Sequence, residues 1–315
     1  MASDTAAAQK WALAAGLALM TVWGVNFAVT KIVLAELGVG PFLFIRFLAM
    51  PLFGFALLAA VTRRHFARSW PRREDLPRFI ACGLIGHTAH VSLVMWGINL
   101  STAFSSSLVL TSSPLFTLLI LALLGAERLR RRQVIGTFVA CAGIVVFLAD
   151  KFVAGFALAG LGDLVLILAA SLFSLYTVMA KPLVTRYGPL NLLCYSLLFG
   201  APPVALATLP AFLATPLDAV PAGVWFGVFW AVAVSSFLGW IAWAWVNAVR
   251  GIARSAPLQY LMPPIAGLVA WLTLGETFTW LKIAGAAIAM AGIAWAQIGA
   301  RSAANIGDRP HFSHS

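Results

Sequence analysis

Near-continuous apolar runs of roughly 20 residues, parted by short polar turns, repeat along the whole chain. They cover residues 11–34, 41–61, 79–100, 103–124, 133–148, 161–180, 189–209, 224–246, 254–274 and 278–300. At 1.5 Å of helical rise per residue, about 20 residues cross a hydrocarbon layer of about 30 Å. Lipid offers no partner to backbone N–H and C=O groups, so a spanning segment must satisfy them itself, as a helix or as a strand of a closed barrel. These runs are too long and too evenly apolar for barrel strands, which alternate apolar and polar positions. The pattern predicts an all-α integral membrane protein with ten transmembrane helices. The first run is long and leads into no exported soluble region, so it reads as an uncleaved span and not a signal peptide.

Composition strengthens this reading. Hydrophobic residues make up 62% of the 315 and charged ones 10%, against about 45–50% and about 25% in soluble domains. The charges are also sorted. If the N-terminus is cytoplasmic, that side collects Lys10, the arginines between 63 and 78, Arg128, Arg130, Arg131, Arg132, Lys181, Arg186, Arg250, Arg254, Arg301 and Arg309. The other side holds Lys31, Lys151 and Lys282, and Arg46 falls inside a span. Basic residues mark cytoplasmic loops, so both termini are expected inside. The net charge of +11 and the pI near 10.5 are then mostly a topology signal, and a nucleic-acid partner is not indicated.

One spacing recurs. Glu127 and Glu276, Gly136 and Gly285, Gly143 and Gly292, Ile144 and Ile293, and Pro114 and Pro263 are each 149 residues apart. The spacing predicts two five-helix repeats, 11–150 and 151–300, between a tail at 1–10 and another at 301–315. Five is odd, so the second repeat must cross the membrane in the opposite sense. That inversion explains why the Glu127 copy is followed by a run of arginines and the Glu276 copy is not. Paired inverted halves are a recurring design of secondary transporters.

The stretches "WGVNFAVTK" at Trp23, "FIRF" at Phe44, "GAERL" at Gly125 and "SAPLQYLMPPIAGLVAWLTLGE" at Ser255 resemble the signature segments of the drug/metabolite transporter superfamily. Within it the chain is most similar to the EamA-type exporters, over about residues 11–300. The resemblance implies ten helices in inverted repeats, a bacterial-type inner membrane, and export of amino acids and their metabolites without a cofactor. It also implies a cavity walled by spans 1, 3, 4, 6, 8 and 9, with 5 and 10 peripheral. The adjacent Pro263 and Pro264 depart from the pattern and leave the shape of span 9 open.

Several polar residues fall within the spans. Arg46 is the one full charge well inside a span; intramembrane charge is costly and is a functional candidate by default. A carboxylate-bearing solute is its natural ligand, and snorkelling or capping of neighbouring carbonyls is the structural alternative. His87 and His90 share a face of span 3 and are the candidates for proton coupling, or else a neutral pair bonded to neighbouring helices. Metal binding lacks further ligands. The acidic residues of the spans lie at or near span ends, so a carboxylate proton relay is not expected.

Asn26 lies at mid-depth in span 1, as a cavity or an interhelical residue. Thr111 and Gln259 lie within about a turn of Pro114 and Pro263, which remove backbone donors and leave carbonyls for a solute or water, or act as kinks alone. Trp240 is deep enough to wall a cavity or to pack. Glu127 and Glu276, at short turns before a helix, fit N-terminal caps. The three cysteines suggest neither disulfide nor zinc site.

An intramembrane enzyme would need a nucleophile and base, a deep carboxylate pair or a metal cluster, and none is apparent. A scaffold would leave the polar span residues without a purpose. The main rival is efflux of lipophilic cations, which calls for an embedded carboxylate where this chain offers Arg46. A zwitterionic or anionic small solute is therefore expected, with protons a possible coupling ion, the bilayer as the surrounding partner, and monomer and homodimer both open.

Overall fold

Helix follows helix with almost no intervening loop, because in a span the backbone must satisfy its own hydrogen bonds. The computed structural model describes residues 2–62, 70–123, 131–153, 158–251 and 255–307, and among these there is no strand. The α-helices are α1 (Ala2–Leu37), α2 (Val39–Thr62), α3 (Leu76–Cys82), α4 (His90–Leu100), α5 (Ala103–Thr111) and α6 (Ser113–Leu123). They continue as α7 (Arg131–Val153), α8 (Leu158–Leu213), α9 (Ala222–Phe229), α10 (Gly239–Arg250), α11 (Met262–Leu274) and α12 (Trp280–Gly307).

Among the described residues seven continuous helical stretches are long and apolar enough to cross a membrane, and two shorter apolar helices, Leu258–Leu274 and Trp280–Trp295, follow them. Large apolar side chains such as Leu123, Phe138, Leu206 and Trp280 cover the outside, as a lipid-facing surface requires. The chain is a multi-pass membrane protein. The runs 161–180 and 189–209 fall within the single long α8, which is non-helical at Gly188 (φ 80°, ψ 168°). Glycine alone adopts that conformation readily, and Pro189 beyond it cannot donate a backbone bond.

The predicted third and eighth spans are not uniform α-helix. Gly83–Ala89 joins α3 to α4 as a π-helix, and Trp230–Leu238 joins α9 to α10 in the same form. Shifted by 149 residues, the first π segment overlies 232–238, within the second. Such segments often lie at functional sites. The fourth span breaks at Ser112 between α5 and α6, and the ninth opens with a 3₁₀ turn, Ala256–Leu261.

The recurring glycines have a packing reason. The helices α7 and α12 run antiparallel with their backbones almost touching. A Cβ on Gly143 would lie 2.2 Å from Ala289 N, and one on Gly292 would lie 2.3 Å from Ala140 N. These two contacts interchange when 149 is added to one partner and subtracted from the other. Gly285 likewise sits against Phe147, where a Cβ would lie 2.4 Å from the backbone nitrogen. Small residues at such crossings let helices approach closely in a membrane.

The turn between α4 and α5 is held from three other elements. Lys31 Nζ on α1 donates to the carbonyls of Ile98 (3.0 Å), Asn99 (2.7 Å) and Ser101 (2.5 Å), which suits a cation at a helix C-terminus. The Ser101 hydroxyl donates to Asp163 of α8, a carboxylate that is fully enclosed. Glu276 accepts from Ala103 N (2.6 Å) and Phe104 N (3.3 Å). It is thus an N-terminal cap, but of α5, more than 170 residues away, and not of the helix that follows it in sequence. Its counterpart Glu127 lies outside the described residues.

At the opposite end, the Tyr187 hydroxyl (2.5 Å) and Arg186 Nη1 (2.6 Å) donate to Asp75 Oδ2. This contact lies in the turns beyond the apolar runs. There the Tyr187 hydrogen bond first, then the bond and charge of Arg186, hold the Asp75 carboxyl below its ordinary range against the opposing effect of desolvation.

Candidate functional site

Arg46 sits on the buried stripe of α2 with Phe42, Leu43, Phe47 and Met50. It is 6% exposed, its Nε has no hydrogen-bond partner, and no hydrogen bond or ion pair joins it to any described residue. A guanidinium carries five donors and keeps its charge, so burying it unpaired is expensive unless something else supplies the partner. The sequence alternative in which Arg46 caps neighbouring carbonyls does not match this geometry.

The charge of Arg46 is near enough to act on both His87 and His90. Hydrogen-bond accounting identifies which nitrogen of each ring carries the proton. His87 Nε2 lies 3.0 Å from Ser196 Oγ, and that hydroxyl lies 2.5 Å from Leu192 O, which can only accept. Ser196 therefore gives its proton to the carbonyl and accepts from His87 Nε2–H. His90 Nδ1 lies 2.9 Å from Ala169 O, so Nδ1 is its donor. Each imidazole keeps one ring nitrogen, Nδ1 of His87 and Nε2 of His90, with no partner among the described residues. The π segment aims His87 at α8: a Cβ on Gly83 would lie 2.4 Å from Ser196 O, and Thr88 donates to Gly200 O (2.6 Å).

Trp240 of α10 completes the group. Its ring centroid is 4.9 Å from that of His87, 5.5 Å from Tyr176 and 5.9 Å from Phe173, while His90 lies 5.1 Å from Phe173. Phe173 and Tyr176 of α8 escape sequence reasoning, because an aromatic residue in an apolar span looks like packing until its neighbours are known. Their spacing of three on one helix is the only signal present beforehand. The structure thus brings Arg46, His87, His90 and Trp240 together with two unexpected rings.

The other candidates show no contact with this group among the described residues. Thr111 is wholly buried and gives its hydroxyl proton to Ser107 O (2.7 Å). Gln259 is 7% exposed and its side chain makes no hydrogen bond among the described residues. No hydrogen bond or ring contact ties either residue to the Arg46 group. The carbonyls that the prolines were expected to leave open are occupied. Leu110 O, four residues before Pro114, accepts from Ser113 Oγ (2.5 Å). Gln259 O, four before Pro263, accepts from Met262 N–H. Pro263 falls in the first turn of α11, where its missing donor costs least.

Asn26 Oδ1 on α1 is buried without a partner. A groove of about 290 Å³ between α1 and α9 is lined by residues such as Val29, Val33, Phe226 and Trp230, is almost wholly apolar, and includes none of the polar candidates. Among the described residues no three His, Cys, Asp or Glu side chains come together to hold a metal.

Comparison with known proteins adds a lineage. The EamA-like transporter family matches over residues 10–149 and again over 160–297. A probable terminal-alkyne amino-acid exporter from Streptantibioticus cattleyicolor is 31% identical over 226 residues, 71% of this chain and 73% of the relative. A probable amino-acid metabolite efflux pump from Escherichia coli is 26% identical over 285 residues, 88% and 91% of the two chains. An uncharacterized transporter from Archaeoglobus fulgidus is 25% identical over 290 residues, 90% and 97%. A crystal structure superposes with a TM-score of 0.61 at 21% identity, covering 93% of this chain and 99% of its own, a likeness of fold.

Proposed function

Since this chain belongs to the EamA-like transporter family, and is a membrane exporter and not an enzyme, we propose that it exports amino acids or their close metabolites by alternating access. The observation that carries the reading is Arg46, a buried guanidinium with no hydrogen-bond or ion-pair partner among the described residues. An anionic group on the cargo would complete its hydrogen bonds, and the same cation disfavours a lipophilic cation as cargo. The names of the two amino-acid relatives support the same substrate class.

The proposed architecture has ten spans as two inverted five-helix units, 11–150 and 151–300, with both termini cytoplasmic and the protein in a bacterial-type inner membrane. In it, α8 counts twice, once on each side of Gly188. The interchangeable contacts of α7 with α12, and π segments at corresponding places in spans 3 and 8, support two related halves. Such halves can rock about a shared site near the midplane. In this reading His87 and His90 are the proton-coupling residues, each with one ring nitrogen available to accept a proton. Trp240 walls the cavity, Asn26 and Gln259 face the solute, and Thr111, Pro114 and Pro263 shape the helices around it.

Overexpression in cells challenged with toxic amino-acid analogues tests the substrate class: tolerance should rise and intracellular pools should fall. Unchanged tolerance and pools across a broad panel would count against the assignment. In membrane vesicles, transport should respond to an imposed pH gradient and lose that response in the His87→Ala, His90→Ala double variant. A rate indifferent to the gradient means facilitated diffusion.

A further inference from the structure

A solute bearing only a carboxylate and one bearing both a carboxylate and an ammonium place different demands on a dry site. The first needs a cation; the second also needs acceptors for its three N–H donors. Two buried acceptors are vacant on α1: Asn26 Oδ1 and Thr30 Oγ1 have no hydrogen-bond partner, and Thr30 is 1% exposed. Their spacing of four residues sets them on one face of the helix. A helical threonine usually returns its hydroxyl proton to the carbonyl four residues earlier. Thr21 does so to Leu17 O and Thr177 to Phe173 O, whereas Thr30 does not. Its hydroxyl is left without that bond.

The helices α1 and α2 run antiparallel from the turn at Gly38 (φ 82°). Thr30 lies eight residues before that glycine and Arg46 eight after it. Equal distances from a tight turn give equal depth, about 12 Å along each helix, and Asn26 is one turn deeper. Both helices meet the π segment Trp230–Leu238. From α1, Trp23 Nε1 donates to Ser235 O (2.9 Å), and from α2, Gly54 and Phe53 pack on Phe237. Thr30 is seven residues from Trp23 and Arg46 seven from Phe53, so each lies on the helix face that meets this segment. On the two helices themselves, α2 contains no acidic residue, and Glu36 near the end of α1 is exposed.

We infer that Asn26 and Thr30 form the ammonium subsite and Arg46 the carboxylate subsite of one site, so that the cargo is recognised as an intact α-amino acid zwitterion. The inference rests on the export reading and narrows it. Neutral oxygens hold an ammonium without creating an opposing buried charge once the solute has left. That suits a site which must release its cargo.

The test uses purified full-length protein and three ligand pairs that differ only in amino against hydroxyl: L-alanine and lactate, L-leucine and 2-hydroxy-4-methylpentanoate, L-phenylalanine and 3-phenyllactate. Binding is read by calorimetry. The wild type should prefer the amino acid in at least one pair by about tenfold or more, the scale of one lost hydrogen bond to a charged group. Thr30→Val and Asn26→Leu should remove most of that preference, chiefly by weakening the amino acid, and Thr30→Ser should restore it. Arg46→Gln should weaken both members of the pair. Equal weakening of amino and hydroxy acids by Thr30→Val, in a variant that melts like the wild type, would overturn the ammonium subsite and leave the export reading intact. If the wild type binds no member of any pair and exports no amino-acid analogue, the export reading falls and takes the subsite with it.

Discussion

Replacing Arg46 by methionine should make the protein more stable and less able to transport. The side chain is 6% exposed, its Nε is unpartnered, and no carboxylate pairs with it among the described residues. An arginine at the centre of a spanning helix costs about 2.5–3.5 kcal/mol on insertion scales. Arg46 stands seven residues into α2, about 10 Å along it, so part of that cost applies. Methionine has similar length, packs in irregular gaps and has nothing to satisfy. A gain of about 1–3 kcal/mol is expected, or roughly 2–8 °C in melting temperature by extrapolation from smaller proteins. Export of alanine, leucine or phenylalanine from vesicles, whichever the wild type carries, should fall at least about tenfold with loss of the charged contact. Arg46→Lys keeps the charge and loses the planar fork, so it should melt near the wild type while transport is impaired. The assays are thermal unfolding in detergent and vesicle export on the same preparations. A lower melting temperature with undiminished export would refute the reasoning, because it would make Arg46 a structural residue whose partner is part of the fold.

Two further outcomes follow from the packing and the turns. Gly143→Ala and Gly292→Ala each drive a methyl into partner backbone that cannot step aside, so both should lower stability by a similar amount, about 1–3 kcal/mol. Gly223→Ala, with nothing within 4 Å of the added atom, should be neutral; the idea fails if all three melt alike. For Asp75, a lowered folded-state pKa means stability that is complete above the unfolded value of about 3.9. It is lost as the pH falls through the lower folded value. Tyr187→Phe should therefore lower the melting temperature at pH 7, by an amount that narrows below about pH 4; a constant difference down to pH 3 would point to lost packing instead.

The candidate group was half legible in advance. Arg46 stands out in sequence because a charge in an apolar run has no local reason to be there, and His87 and His90 stand out by spacing. Thr30, Phe173 and Tyr176 did not. Thr30 and Thr111 are the same residue type at similar depth in apolar helices. One hydroxyl is spent on its own backbone and the other is vacant, a difference set by rotamer and neighbours. The carbonyls freed by Pro114 and Pro263 were likewise filled from within the helix, by Ser113 and by a 3₁₀ turn.

Hydropathy, charge sorting and the recurring spacing of 149 are properties of residues taken singly or at fixed separation. From them alone the chain was set as helical and membrane-spanning, because the bilayer judges each segment by its own apolar length and backbone. Tertiary structure decided where helices depart from α geometry, that Glu276 caps a helix far from it in sequence, that Asp163 is enclosed, and which polar atoms are left without partners. Those depend on which distant segments come to lie within hydrogen-bonding reach, and unmet hydrogen-bonding capacity exists only once every neighbour is in place.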